Sequence, residues 1–184
     1  MSQLKQLLYS DLARQYELEG RTDTRPTFPG LLKRLLHFRF LPIVLLRTSR
    51  AAMLAGIPGL PKLLTYANLV LFGLEVTPKC EIGPGLFLPH PVGCIIGAAR
   101  LGRNVSVLHG VVVGALQFDM EFRPELRPEI GDNVLLGTGC KVLGSMRIGD
   151  NAIIGANSLV LDSVEPNTTV VGSPARAVSS LAKS

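Results

Sequence analysis

From Ile130 onward an apolar residue stands at every sixth position: Ile130, Leu136, Val142, Ile148, Ile154 and Val160. Glycine follows most of them, at Gly131, Gly137, Gly149 and Gly155. Leu101, Val107 and Val113 repeat the spacing earlier, with Gly102 and Gly114 in the following place, and Ile82-Gly83 and Leu88 begin a third register. An amphipathic helix needs a period near 3.6 and a half-buried strand a period of 2, so neither produces a six held over thirty residues. A six-residue repeat predicts a parallel β-helix, in which three short faces close one coil. The apolar residue points inward and stacks on its equivalent in the next coil. The small residue after it is expected to let the chain turn the corner.

The pattern before residue 73 is different. Leu4, Leu7, Leu8 and Leu12 form one helical stripe ending before Gly20. Arg21–Pro29 reads as a polar linker, Leu31–Leu54 as a second helical region interrupted at Pro42, and Gly56–Pro61 as a turn. Pro61–Phe72 is expected to be a last helix leading into the coils. The domain reading is therefore a helical segment at 1–72, a β-helix at 73–178 and a short tail at 179–184. The fold class is mainly β with an N-terminal α-helical segment.

Charge divides the chain at the same place. Residues 1–72 carry ten Lys/Arg and four Asp/Glu, and residues 73–184 carry nine and ten. Between Pro26 and Phe72 there are six basic residues, Lys33, Arg34, Arg39, Arg47, Arg50 and Lys62, and no acidic one. This segment is expected to cap the open end of the coil stack and to meet neighbouring subunits, because solenoids need caps. Contact with an anionic membrane surface is the alternative, since basic residues beside apolar ones suit it, and the two are compatible. Nucleic-acid binding is disfavoured because few aromatics accompany the cations. The three cysteines, Cys80, Cys94 and Cys140, form no CxxC, which argues against a disulfide framework and a zinc site and for a cytoplasmic location. No signal peptide is visible and no apolar run reaches the roughly 18–20 residues of a spanning helix.

Few residues could carry chemistry. His37 lies in the basic segment and reads as surface or packing. His90 stands between Pro89 and Pro91 in a loop early in the coil stack. Two prolines remove two backbone donors and stiffen the loop, which suits aiming a side chain. His109 occupies a hexapeptide wall position and reads as an ordinary face residue. Glu75 precedes His90 by fifteen residues, near one coil, so the carboxylate either orients the imidazole as a general base requires or caps the stack. The period breaks between Val113 and Ile130, where the polar stretch Gln117–Glu129 is thrown out as a loop and is expected to belong to the binding site.

From Glu75 to Val178 the chain resembles the hexapeptide-repeat acyltransferases, and within them the serine acetyltransferase branch. The matching stretches are Ile82-Gly83-Pro84-Gly85-Leu86-Phe87-Leu88-Pro89-His90, Val105-Ser106-Val107-Leu108, Gly137-Thr138-Gly139-Cys140-Lys141-Val142-Leu143-Gly144, and the closing Gly172-Ser173-Pro174-Ala175-Arg176-Ala177-Val178. The resemblance implies a left-handed parallel β-helix, a homotrimer, acetyl-CoA as donor and no metal. It implies His90 as the base that deprotonates an acceptor hydroxyl and Glu75 as its carboxylate partner. It places the CoA arm at Gly114, Thr138 and Ala156, with Arg176 near the nucleotide end.

The chain departs from the branch at several points. Pro89 stands where the branch has an Asp that holds the amino group of serine. Leu126 and Arg127 replace an Arg-His pair, leaving Arg127 as the one cation for an acceptor carboxylate. The helical segment and the stretch after Val178 are shorter than usual in the branch. The expected activity is therefore O-acetylation of a sugar hydroxyl in a surface polysaccharide or its precursor, with Arg127, Pro89 and the Gln117–Glu129 loop shaping the acceptor site. The alternatives are serine O-acetylation and a non-enzymatic β-helix scaffold.

Overall fold

The computed structural model describes residues 3–35 and 37–178; the expected tail at 179–184 lies outside them. Three parallel sheets run along the coil axis and close the prism of a left-handed parallel β-helix. Sheet A holds β1 (Glu75–Val76), β3 (Ile95–Ile96), β6 (Val112–Gly114), β9 (Lys141–Leu143) and β12 (Leu159–Val160). Sheet B holds β2 (Glu81–Ile82), β4 (Arg100–Leu101), β7 (Glu129–Ile130) and β10 (Arg147–Ile148). Sheet C holds β5 (Ser106–Val107), β8 (Leu135–Leu136), β11 (Ile153–Ile154), β13 (Thr169–Gly172) and β14 (Ala175–Val178), the last pairing antiparallel with β13.

Register explains the repeat. Val76, Ile96, Val113, Val142 and Val160 are successive partners in sheet A. Ile82, Leu101, Ile130 and Ile148 follow in sheet B, and Val107, Leu136, Ile154 and Val170 in sheet C. All of them are buried, so each hexad residue fills the prism and meets only its own kind above and below. The three cysteines are free and buried in this core. Burial pushes the Cys140 and Cys80 thiols up to about 12, which makes them inert wall residues.

The glycine after the hexad residue has a different cause from the one expected. A Cβ on Gly83 would lie 2.5 Å from the Gly102 carbonyl oxygen, and one on Gly137 would lie 2.5 Å from that of Ile154. Neither glycine has a positive φ. Close stacking of coils, not a turn conformation, excludes a side chain there. The left-handed positions fall on other corners. One carries Asn104, Asn133, Asn151 and Asn167, each with φ between 55° and 58° or at 59°, and their side-chain amides hydrogen-bond in a continuous ladder at 3.0–3.2 Å.

The cap is four helices: α1 (Gln3–Leu18), α2 (Phe28–Leu35), α3 (Leu41–Leu54) and α4 (Leu60–Phe72). The expected interruption at Pro42 is corrected. The break lies before α3, and Pro42 sits in that helix's first turn, where its missing N–H has no intrahelical partner to lose. α4 ends at Gly73 in the left-handed conformation and passes directly into β1. Among the described residues no helix is long and apolar enough to cross a membrane.

One cluster joins cap to coils. Arg47 of α3 makes a two-pronged ion pair with Asp11 of α1, Nε and Nη2 each 2.9 Å from a carboxylate oxygen. Arg47 also donates to the carbonyls of Ile82 and Gly83, while the Leu86 backbone N–H donates to Asp11 at 2.9 Å. Arg50 donates to the carbonyls of Pro78, Lys79 and Cys80. Arg34 pairs with Glu19 at 2.9 Å. Three of the six basic residues of the expected cap are thus engaged in ion pairs or backbone contacts, and Arg47 is buried.

Candidate functional site

The corner between sheets C and A carries His90, Thr138 and Ala156 among the candidate residues. At each level the chain turns through a left-handed residue, Gly93, Gly110, Gly139 and Asn157 in succession. The N–H of each of the last three donates to the carbonyl one coil below: Gly110 to Val92 at 3.0 Å, Gly139 to His109 at 2.9 Å, and Asn157 to Thr138 at 2.8 Å. Val92, His109, Thr138 and Ala156 are therefore stacked along one edge of the prism. Two expected CoA positions, Thr138 and Ala156, share this edge.

His90 stands at the foot of it. Phe87 bridges Ser106, so the turn to the left-handed glycine takes two residues more in the first coil (87 to 93) than in the next (106 to 110). The added length pushes Pro89-His90-Pro91 outward. His90 is exposed, and its ring meets that of His109 edge-on, centroids 6.3 Å apart at 88°. His109, expected as an ordinary face residue, is also exposed and is the immediate neighbour of His90. Pro89 lines a small crevice with Gln15, Arg39 and Ile43, which faces the cap.

The expected contact between Glu75 and His90 is not made. Glu75 lies on sheet A opposite Ile95, twenty residues on, so the first coil is two residues longer than eighteen and His90 falls in the turn before the sheet-A strand rather than beside Glu75. Among the described residues no hydrogen bond or ion pair joins the two side chains. Glu75 instead lines a groove of about 550 Å³ on the face of sheet A, with Ile95, Gly114, Phe118, Met120 and Arg127. The Gln117–Glu129 insertion covers this groove, so the loop does belong to a cleft. Phe118 and Met120 are 88% and 80% exposed, an apolar rim with no neighbour in a single chain.

Arg127 lines the same groove, but its guanidinium is not a free cation. Nε and Nη2 donate to Asp119 at 3.0 and 2.8 Å, Nη1 donates to the Gly97 carbonyl at 2.8 Å, and the group stacks on the Phe122 ring at 4.1 Å. A Cβ on Gly97 would meet Nη1 at 2.7 Å, so a side chain there would displace the guanidinium from its present seat. Lys79 reaches the loop from below and donates to the Glu121 carbonyl at 2.9 Å. Asp119 was legible only as one of several loop charges, yet it organises the whole insertion. Desolvation raises its carboxyl, but the Arg123 N–H and the Arg127 and Arg123 side chains outweigh that and hold it down at about 2.

A folded value below the ordinary 3.8 means that this clasp contributes stability above pH 4 and loses it as pH falls towards 2. Hydrogen-exchange protection of the 117–127 amides should therefore persist at pH 5 and vanish between pH 4 and 2, while the coil amides stay protected. In Asp119→Asn the loop should exchange freely at every pH. Equal protection in the variant and the parent would show that the clasp does not hold the loop.

Arg176 lies apart from the other CoA candidates, exposed on β14, and donates to the Ala175 carbonyl. Among the described residues no group of three His, Cys, Asp or Glu side chains is arranged to hold a metal ion.

Comparison with known proteins adds to this geometry. The family described as Bacterial transferase hexapeptide (six repeats) matches residues 127–162. A protein named Probable serine acetyltransferase 1, from Oryza sativa subsp. japonica, is 39% identical over 153 residues, which are 82% of this chain and 50% of that one. The chain thus spans about half the length of that curated relative. The crystal structure of Neisseria gonorrhoeae serine acetyltransferase superposes with a TM-score of 0.83 at 33% identity, covering 99% of this chain and 68% of that one. A serine acetyltransferase solved in complex with CoA superposes with a TM-score of 0.79 at 25% identity, covering 95% and 69%.

Proposed function

The chain belongs to the serine acetyltransferase branch of the hexapeptide-repeat acyltransferases, and from that membership we propose that it transfers the acetyl group of acetyl-CoA to a hydroxyl, with serine as the acceptor. The observation that carries the proposal is the exposed His90 at the foot of the edge holding Thr138 and Ala156, in a chain that follows serine acetyltransferases over almost its whole length. In this account the pantetheine arm lies along the edge, with Gly114 at its flank and Arg176 towards the nucleotide. His90 takes the proton of the acceptor hydroxyl. The oxygen attacks the thioester carbonyl, the tetrahedral adduct collapses, and the C–S bond breaks. The departing thiolate takes the proton back from His90, giving the acetyl ester and free CoA. Glu75 faces the acceptor from the sheet-A groove rather than holding the base. A homotrimer is part of the proposal, because the His90 edge and the Glu75 groove need a facing surface to become one enclosed site, and so is a cytoplasmic location.

A sugar hydroxyl is the second reading, and two observations favour it. Pro89 brings no carboxylate to hold an amino group, and the Arg127 guanidinium is already paired with Asp119. Purified protein with acetyl-CoA and a panel of hydroxyl compounds separates the two by thiol release. L-serine should drive release well above acetyl-CoA hydrolysis. Release with sugar acceptors and none with serine would transfer the proposal to the second reading. No acceptor-dependent release from any of them would end both.

A further inference from the structure

The short helix α2 carries apolar residues on two sides, and only one side has a partner. Leu31 and Leu35, four apart, turn inward and pack on the core of the cap. Phe28 and Leu32, also four apart, turn outward and are 63% and 58% exposed. A cap helix that met only water would carry polar residues at those outward positions. The chain leaving α2 adds Phe38, which is 55% exposed.

Cations frame these side chains. Lys5 of α1 places Nζ 5.9 Å from the centroid of the Phe28 ring. Lys33 follows Leu32 and is exposed. Arg39 is exposed and lies 5.3 Å over the Phe38 ring. Among the described residues none of these three cations forms an ion pair. Arg34, the other cation of α2, pairs with Glu19 at 2.9 Å, so the acid that reaches this helix is already neutralised. No acidic residue occurs between Pro26 and Phe72. The basic run therefore divides: Arg34, Arg47 and Arg50 build the cap, while Lys33 and Arg39 remain beside apolar side chains that nothing covers.

We propose that α2 docks the protein on the surface of an anionic phospholipid bilayer. Phe28 and Leu32 enter the headgroup boundary, and Lys5, Lys33 and Arg39 meet the lipid phosphates. Aromatic and leucine side chains beside cations characterise helices that lie in the plane of the interface without crossing it. Charge selects the occupant. A second copy of the chain would set each patch on itself, bringing like cations face to face, which disfavours the contact. An anionic surface instead gains about fivefold in affinity for each Lys or Arg held near it. The inference is independent of the acetyl-transfer reading, and its test needs neither donor nor acceptor.

That test is co-sedimentation of the full chain with vesicles of phosphatidylcholine alone and of an equal mixture with phosphatidylglycerol. Phe28→Ser/Leu32→Ser and Lys5→Gln/Lys33→Gln are run beside the parent. The parent should bind the mixed vesicles, bind phosphatidylcholine at least about tenfold more weakly, and lose most of its binding in about 0.5 M salt. Each double variant should bind the mixed vesicles at least about tenfold more weakly. Thermal unfolding should not change, because none of the four side chains belongs to the core. Should Phe28→Ser/Leu32→Ser unfold early, the lysine variant decides alone. No binding to either vesicle, equal binding to both, or mixed-vesicle binding that neither variant weakens overturns the proposal. Sedimentation velocity tests the other occupant: a parent whose mass falls on introducing Phe28→Ser/Leu32→Ser pairs with a second copy through this patch, which also overturns it.

Discussion

Asp11→Ala should cost about 3–5 kcal/mol of folding stability, the penalty typical of removing one partner from a buried ion pair. The magnitude follows from where Arg47 is left. Its side chain is 1% exposed and that of Asp11 is 0% exposed, so no water can replace the lost carboxylate. The two oxygens of Asp11 receive Arg47 from α3 and the Leu86 N–H from the first coil. One substitution therefore loosens the joint between the cap and the coils. Chemical denaturation monitored by circular dichroism should show the loss. A transition confined to the helical signal would place the damage at that joint. The double variant Asp11→Ala/Arg47→Met should recover part of the stability, because it leaves no stranded charge while the Leu86 N–H and the Ile82 and Gly83 carbonyls still lose their partners. A single variant within about 1 kcal/mol of the parent would mean that the cluster is not what anchors the cap.

His90→Ala should lower the rate of acetyl transfer about 10²–10⁴-fold, the range for loss of a general base. The fold should be untouched. The ring is exposed, and the turn is held by backbone bonds such as Gly93 to the Gly73 carbonyl at 3.0 Å. Thermal unfolding of the variant should match the parent, which separates a chemical effect from a structural one. Glu75→Gln should have a smaller effect, expressed mainly in KM for the acceptor, because Glu75 lines the sheet-A groove and does not touch the imidazole. Equal losses of kcat in the two variants would restore the carboxylate to the side of the base.

The coil stack was readable from sequence because its cause is local and repeated. Ile130, Leu136 and Val142 each occupy a different sheet, yet each has one inward aliphatic side chain stacked between the equivalent aliphatic residues of the coils above and below. That demand returns every six residues and writes itself into the chain. The cap obeys no such period. Asp11 and Arg47 are thirty-six residues apart, and the basic run read as a cap does not show which of its cations is buried. Only the meeting of α1, α3 and the first coil reveals it as core. Pro42 misled for a related reason: proline interrupts a helix interior but is tolerated in a first turn, and the hydropathy of Leu31–Leu54 does not show where that turn falls.

The candidate site divides in the same way. Thr138 and Ala156, one full coil apart, share an edge with His109 as the repeat requires. His90 was marked by the prolines on either side. The Glu75 contact is not made because fifteen residues fall short of a full coil: the sheet-A partner of Glu75 is Ile95, and His90 lies in the turn before it. Arg127 was visible as a cation, but Asp119 lies within an insertion that has no period. Nothing in the sequence shows that the loop folds back to pair them, or that Gly97 leaves room for the guanidinium.

The most direct test of the account is a crystal structure of the protein with CoA bound. The pantetheine arm should run down the C–A edge past Ala156 and Thr138, and the sulfur should lie beside the rings of His109 and His90. A CoA molecule seated elsewhere, along the asparagine ladder or in the charged groove of sheet B lined by Arg100, Glu129 and Arg147, with its sulfur remote from His90, would contradict it.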